Sequence, residues 1–246
     1  VVVTALAFDF TNGFHDTANA MAASIATKAL TPKTAVVLCA SLNLVGALLS
    51  VEVALTVTNA VINLQNPDGT PRAELLADGG DKLLLILLAG LAGAIIWNLA
   101  TWLWGLPSSS SHALFGGLIG ATMAGLGWGG VKWVGDGTKL DGVVGKVIIP
   151  GFMSPAIAMI VAMVGTHFVF KVAASLSERY RRSGFRWGQV GAASLMSISH
   201  GTNDAQKTMG VITLALIASG EWSDTHSVPL WVKLACAVTI ALGTYL

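Results

Sequence analysis

Apolar positions in this chain come in long unbroken runs, with neither the alternation of a half-exposed strand nor the charged stripe of a surface helix. No Asp, Glu, Lys or Arg occurs from Leu83 to Val131, and none from Val147 to Phe170. About 20 such residues cross a bilayer as a helix, which satisfies its own backbone in hydrocarbon. The runs predict spanning segments over 1–27, 34–62, 83–106, 142–175 and 189–219, another from 229 onward, and a short glycine-rich helix over 113–126. Polar stretches at 63–82, 127–141 and 220–228 separate them, the first carrying the turn Pro67-Asp68-Gly69.

Three polar insertions break this pattern. Asn12-Gly13-Phe14-His15-Asp16-Thr17-Ala18-Asn19-Ala20 is echoed by His200-Gly201-Thr202-Asn203-Asp204-Ala205-Gln206-Lys207, each with a glycine three residues before an aspartate. A carboxylate at the centre of a membrane helix costs about 3 kcal/mol on insertion scales, so Asp16 and Asp204 are expected to carry function. Both stretches predict interruptions of their helices. The third insertion, Pro107-Ser108-Ser109-Ser110-Ser111-His112, combines a proline that stops one helix with serines able to cap the next.

Composition agrees with the pattern. With 54% hydrophobic and 11% charged residues and a mean hydropathy of +0.70, a soluble domain is excluded. The net charge of +1 offers no case for nucleic acid. Cys39 and Cys236 lie in apolar spans, where free cysteine behaves as a small hydrophobe. Arg179, Arg181, Arg182 and Arg186 put a basic loop at 177–188 on the cytoplasmic side. Alternating the spans from there places Lys28 and Lys33 inside, both acidic loops outside, and the two aspartate motifs in opposite directions. Opposed, related segments predict an all-α, polytopic membrane protein of inverted-topology repeats with broken or re-entrant helices. Residues 1–176 form the first repeat and 189–246 the start of an incomplete second one. The chain opens on Val-Val-Val and closes within a span, and so reads as a fragment of a multi-pass protein of the plasma membrane.

Candidate chemistry follows from placement. Ser108, Ser109, Ser110 and Ser111 precede a helix whose first N–H groups are unpaired, a cradle for a tetrahedral oxyanion or only a helix cap. Asp16 and Asp204 suit a cation or a proton that enters with an anion, and Asn12, Asn19 and Asn203 could orient either ligand. His15, His200 and His112 are candidates for proton handling or, for His15 and His200 with the two aspartates, for a divalent metal; hydrogen-bonded cavity lining is the simpler alternative. Lys207 lies one turn beyond Asp204, and Glu52, in mid-span, is either a coupling residue or a partner of a histidine. No Gly-x-Ser-x-Gly elbow or His-Glu-x-x-His motif occurs, so an enzyme is not expected.

The motifs at 12–20, 107–112 and 200–207, in this order, resemble the signatures of the PiT family of inorganic phosphate transporters. The resemblance implies inverted repeats and a secondary active transporter that imports phosphate, free or as a metal complex, by cation-coupled symport with alternating access. Asp16, Asn19, Asn203 and Asp204 would belong to the paired signature, and Ser108 to Ser111 would contact phosphate. The Gly-Phe-His-Asp form is similar to the bacterial low-affinity branch, which implies proton rather than sodium coupling. A sodium-coupled symporter, or a non-transporting receptor or scaffold of the same fold, is the alternative. No organic cofactor is expected; phosphate, membrane lipid and a second copy of the chain are the expected partners. The repeat offset puts a second serine-rich break beyond Leu246, so half of the phosphate cradle is expected outside this chain.

Overall fold

The computed structural model describes residues 1–49, 63, 73–76, 80–134, 140, 142–224 and 227–246. Their α-helices follow in the order α1 (Val2–Ala26), α2 (Pro32–Leu49), the single turn α3 (Ala73–Leu76), α4 (Asp81–Leu103), α5 (Ser110–Leu126), α6 (Ile149–Ala174), α7 (Glu178–Ala218) and α8 (Leu230–Tyr245). A π-helical turn, Val144–Ile148, leads into α6. Pro32–Leu49, Asp81–Leu103 and Val144–Ala174 are each long and apolar enough to cross a membrane. Helices α1 and α7 are 25 and 41 residues long and carry the polar motifs.

Local sequence explains the boundaries. Thr31 caps α2, its hydroxyl accepting from the Thr34 amide at 3.3 Å, and Pro32 occupies the first turn, where no amide donor is needed. Helix α4 closes at Gly105, whose φ of +65° lets the Leu106 amide reach back to the Thr101 carbonyl at 2.8 Å; Pro107 then prevents continuation. The break between α4 and α5 thus falls where the proline–serine run predicts it.

The other two expected breaks are absent, because α1 and α7 run unbroken through their motifs. Their glycines serve lateral approach instead. A Cβ on Gly13 would lie 2.4 Å from the Ile240 carbonyl of α8, and one on Gly243 of α8 would lie 2.2 Å from the Phe10 carbonyl of α1. The same exchange joins α7 to α2, with Gly201 against Asn43 at 2.2 Å and Gly46 against Ile198 at 2.3 Å. Backbones that meet so closely hold membrane helices together by packing, since lipid is as apolar as the side chains. Gly90 and Gly117 pair α4 with α5 in the same way.

The basic stretch expected as a loop is also helical, forming the start of α7. Glu178 pairs with Arg181 and Arg182 at three and four residues' spacing, which supports a helix. At about 1.5 Å per residue α7 is about 60 Å long, twice a hydrocarbon core of about 30 Å, and so longer than one crossing requires. Phe8, Leu83, Leu87, Leu91, Leu114, Leu118, Met209 and Ile212 fill the main core. By contrast α6 buries only Ala173, leaving an exposed apolar surface along its length.

The glycine crossings generate a prediction. Gly201→Ala drives a methyl group into the Asn43 carbonyl and should cost about 1–3 kcal/mol, lowering the melting temperature in detergent, whereas Gly116→Ala, facing open space, should leave it unchanged. Equal melting of both variants would contradict the close-packing role.

Candidate functional site

Helices α1 and α7 lie antiparallel, since Asp9 meets Thr208 while Asp16, further along α1, meets His200 and Asp204. Their motif faces enclose a polar cluster that α2, α4 and α5 complete. His200 is its centre. The ring Nε2 lies 3.2 Å from Asp204 Oδ2 and 3.6 Å from Asp16 Oδ2, and Nδ1 lies 3.3 Å from Asn43 Oδ1. Asn43 is fully buried and donates through Nδ2 to Thr244 Oγ1 at 2.7 Å, which leaves its Oδ1 as the acceptor for an Nδ1–H of His200.

This bonding decides the chemistry. With the hydrogen on Nδ1, a neutral His200 would aim the Nε2 lone pair at two carboxylates. The arrangement therefore calls for positive charge at Nε2, supplied by a proton on the ring or by a metal ion among the three groups. Asp16, His200 and Asp204 each offer a ligand atom, all within 4.8 Å of one another, and two carboxylates with one imidazole suit a divalent cation.

The carboxylates are held from behind. Asp16 Oδ1 is met by His15 Nδ1 at 3.2 Å and receives a hydrogen bond from Asn19 Nδ2 at 3.3 Å, while the other ring nitrogen of His15 lies 3.3 Å from Thr101 Oγ1. Asp204, only 8% exposed, pairs through Oδ1 with Lys207 and accepts from Ser111 Oγ at 3.3 Å. Lys207 also donates to Ser111 Oγ at 2.5 Å, tying the start of α5 to α7.

In front of the cluster is a cavity of about 230 Å³, lined by Asp16, Asn19, Ala20, Met196, His200 and Asp204 on one side and Ser108, Ser109 and Ser111 on the other. Ser109 is the N-cap of α5 and accepts from the His112 amide at 3.4 Å; the first-turn amides of Ser110 and Ser111 have no partner in the helix ladder. Ser108 accepts from Trp97 Nε1 at 3.0 Å. One wall thus offers hydroxyls and a helix N-terminus, and the other offers carboxylates and an imidazole.

Several residues predicted for the site lie elsewhere. Asn203 is exposed and does not line the cavity; Ser110 is buried on the far side of the serine run; His112 is exposed. His15 orients Asp16 and is not among the three groups able to share a metal. Glu52 lies outside the described residues. Asn43, Thr101 and Thr244 were not legible as partners of the histidines, because their pairings join distant parts of the chain. Asp9, fully buried, had the same signal as Asp16, an aspartate in an apolar run, but the residue matching it in the second motif helix is Ser197.

The ligand geometry predicts that Mn²⁺ added to the purified protein is held by both carboxylates, and that Asp204→Asn weakens it by about tenfold or more, read by electron paramagnetic resonance titration. Undiminished affinity in the variant would remove Asp204 from the ligand set.

Comparison with known proteins adds the following. The model of the phosphate transporter family PHO4 matches residues 12–246. A protein of Mycobacterium tuberculosis (strain H37Rv), named as a probable low-affinity inorganic phosphate transporter, is 53% identical over 247 residues, covering 100% of this chain and 54% of the relative. A protein of the same name from Bacillus subtilis is 40% identical over 99% of this chain and 67% of its own length. The chain spans about half the length of the mycobacterial relatives it matches. Among solved structures, a sodium-dependent phosphate transporter shares the fold with a TM-score of 0.72 at 19% identity, over 99% of this chain and 74% of that one.

Proposed function

Because this chain belongs to the phosphate transporter family, we propose that it forms part of a secondary active transporter that brings inorganic phosphate across the plasma membrane by proton-coupled symport with alternating access. The observation that carries this reading is the two-sided cavity: the N-terminus of α5 with Ser108, Ser109 and Ser111 faces Asp16, His200 and Asp204 across about 230 Å³. A helix N-terminus and hydroxyl donors bind a tetrahedral oxyanion without a bound cation of their own. The facing carboxylates would repel that anion unless positive charge accompanies it. A proton on His200 provides the charge, and loading of one ion then favours loading of the other.

The antiparallel α1 and α7, with their reciprocal glycine crossings onto α8 and α2, support an inverted-repeat arrangement in which 1–176 make one repeat and 189–246 begin another. The arginine-rich start of α7 supports a cytoplasmic position for residues 177–188. Exposed apolar α6 is suited to contact with acyl chains. Two further readings have an observation behind them. The Asp16–His200–Asp204 constellation favours phosphate carried as a divalent metal complex, and the sodium dependence of the structural neighbour favours sodium as the coupling ion.

Reconstitution of the full-length protein into proteoliposomes with radiolabelled phosphate separates these readings. Uptake is expected to follow an inward proton gradient, to ignore a sodium gradient, and to fall by about two orders of magnitude or more in Asp204→Asn, from which a charge-assisted pairing worth about 3 kcal/mol is lost. Uptake driven only by sodium would overturn proton coupling; failure of both gradients, with and without divalent metal, would overturn symport.

A further inference from the structure

The start of α7 carries a second constellation, away from the Asp16–His200–Asp204 cluster. Glu178, Arg181, Arg182, Phe185, Arg186 and Gln189 recur at intervals of three and four residues and therefore share one face of the helix. That face meets the turn between α1 and α2 and the end of α6, and with Thr27, Lys28, Ala29 and Phe170 it lines a cavity of about 650 Å³. Arg186 donates from Nε to the Ala29 carbonyl at 3.3 Å, which ties α7 to the turn. Phe185 of α7 meets Phe170 of α6 with ring centroids 6.3 Å apart.

Charge in this cavity is one-sided. Lys28, Arg181, Arg182 and Arg186 line it together with a single carboxylate, Glu178. Glu178 pairs with Arg181 and, at 4.0 Å, with Arg182, while no carboxylate among the described residues meets Lys28 or Arg186. Like charges gathered around one space call for an anion between them. Lys28 adds a backbone signal. Its φ of +57° makes it the one described residue other than glycine in the left-handed region, just past the end of α1, where glycine is the usual residue. A lysine held there gives up backbone ease and keeps a cation on the cavity wall.

The surroundings select the anion. Beyond Phe170, the side chains of Met163, Met159 and Phe152 follow at seven, four and seven residues along one face of α6, and they are 66%, 62% and 78% exposed. A soluble anion would use the cations and leave this apolar track empty; a phospholipid uses both. We infer that the cavity binds the headgroup of an anionic phospholipid, its phosphodiester held by Lys28, Arg182 and Arg186 and its acyl chains lying along the Phe170 to Phe152 face of α6. Guanidinium groups match phosphate oxygens in geometry as well as charge, and basic pockets between spanning helices suit lipid headgroups. Because α6 buries only Ala173, the lipid would fasten that helix to α7 and to the α1–α2 turn.

The test is native mass spectrometry of lipid bound to the full-length protein in a neutral, phosphate-free detergent solution. Phosphatidylglycerol should bind saturably, and phosphatidylcholine at the same concentration should not. Arg182→Gln should weaken phosphatidylglycerol about fivefold or more. So should Lys28→Gly, which relieves the left-handed backbone and so preserves the fold. Arg179→Gln removes an equal charge one turn away on α7, outside the cavity lining, and should leave binding unchanged. Equal weakening by Arg179→Gln would reduce the effect to diffuse attraction and overturn the inference. Binding that survives both Arg182→Gln and Lys28→Gly overturns it as well, as does equal binding of phosphatidylcholine. Displacement of the lipid by an equal concentration of glycerol phosphate would overturn it by making the occupant a soluble anion. Since the readout is lipid binding, failure here leaves the uptake experiment independent.

Discussion

One imidazole with a carboxylate on either side governs the described structure. His200 takes its orientation from Asn43 on α2 and presents its other nitrogen to Asp16 on α1 and Asp204 on α7, so three helices depend on one ring. Two carboxylates this close would separate if nothing positive stood between them, and so the cluster couples the packing of the helices to the charge it holds. Around it, Lys207 and Ser111 extend the network to the start of α5. The serine-bearing wall of the cavity is thereby connected through hydrogen bonds to the wall of carboxylates and imidazole.

Glycine supplies the complementary half of this arrangement. Strongly polar contacts between helices require the backbones to be near, and the crossings at Gly13, Gly46, Gly201 and Gly243 bring α1 onto α8 and α2 onto α7. The same motif thus contains both a carboxylate of the cluster and, three residues earlier, the glycine that permits a neighbouring helix to approach. Thr244 belongs to both functions, accepting from Asn43 while lying beside Gly13.

Much of this was legible in the sequence because membrane helices are governed by simple constraints. Long uncharged runs require helices, Pro107 followed by four serines marks a stop and a restart, and an aspartate in an apolar run demands compensation. Those features led directly to α4, α5, Asp16 and Asp204. What could not be read was which way a polar residue is satisfied. Gly13 and Gly201 are equally suited to a break in a helix and to a close crossing, and only the distant partners Ile240 and Asn43 show that they serve the crossing. Asn203 shares the motif with Asp204 but faces outward, since adjacent residues on a helix point about 100° apart. Likewise the arginine cluster at 177–188, lying between two apolar runs, reads as a loop, while its Glu178–Arg181 and Glu178–Arg182 pairs are helical in spacing.

The continuity of α7 has a mechanical consequence. His200, Asp204 and Lys207 stand on the same unbroken rod as Arg179, Arg181 and Arg182, with no proline in between to act as a joint. The three site residues therefore cannot be rearranged relative to each other by bending at their own motif. Any displacement of one is shared by the others and by the charged start of the helix. The opposite wall differs, because the chain between Leu103 and Ser110 leaves helical geometry at Gly105 and Pro107. In this architecture the carboxylate side of the cavity is built on one continuous helix, and the serine side on a helix that starts at a break.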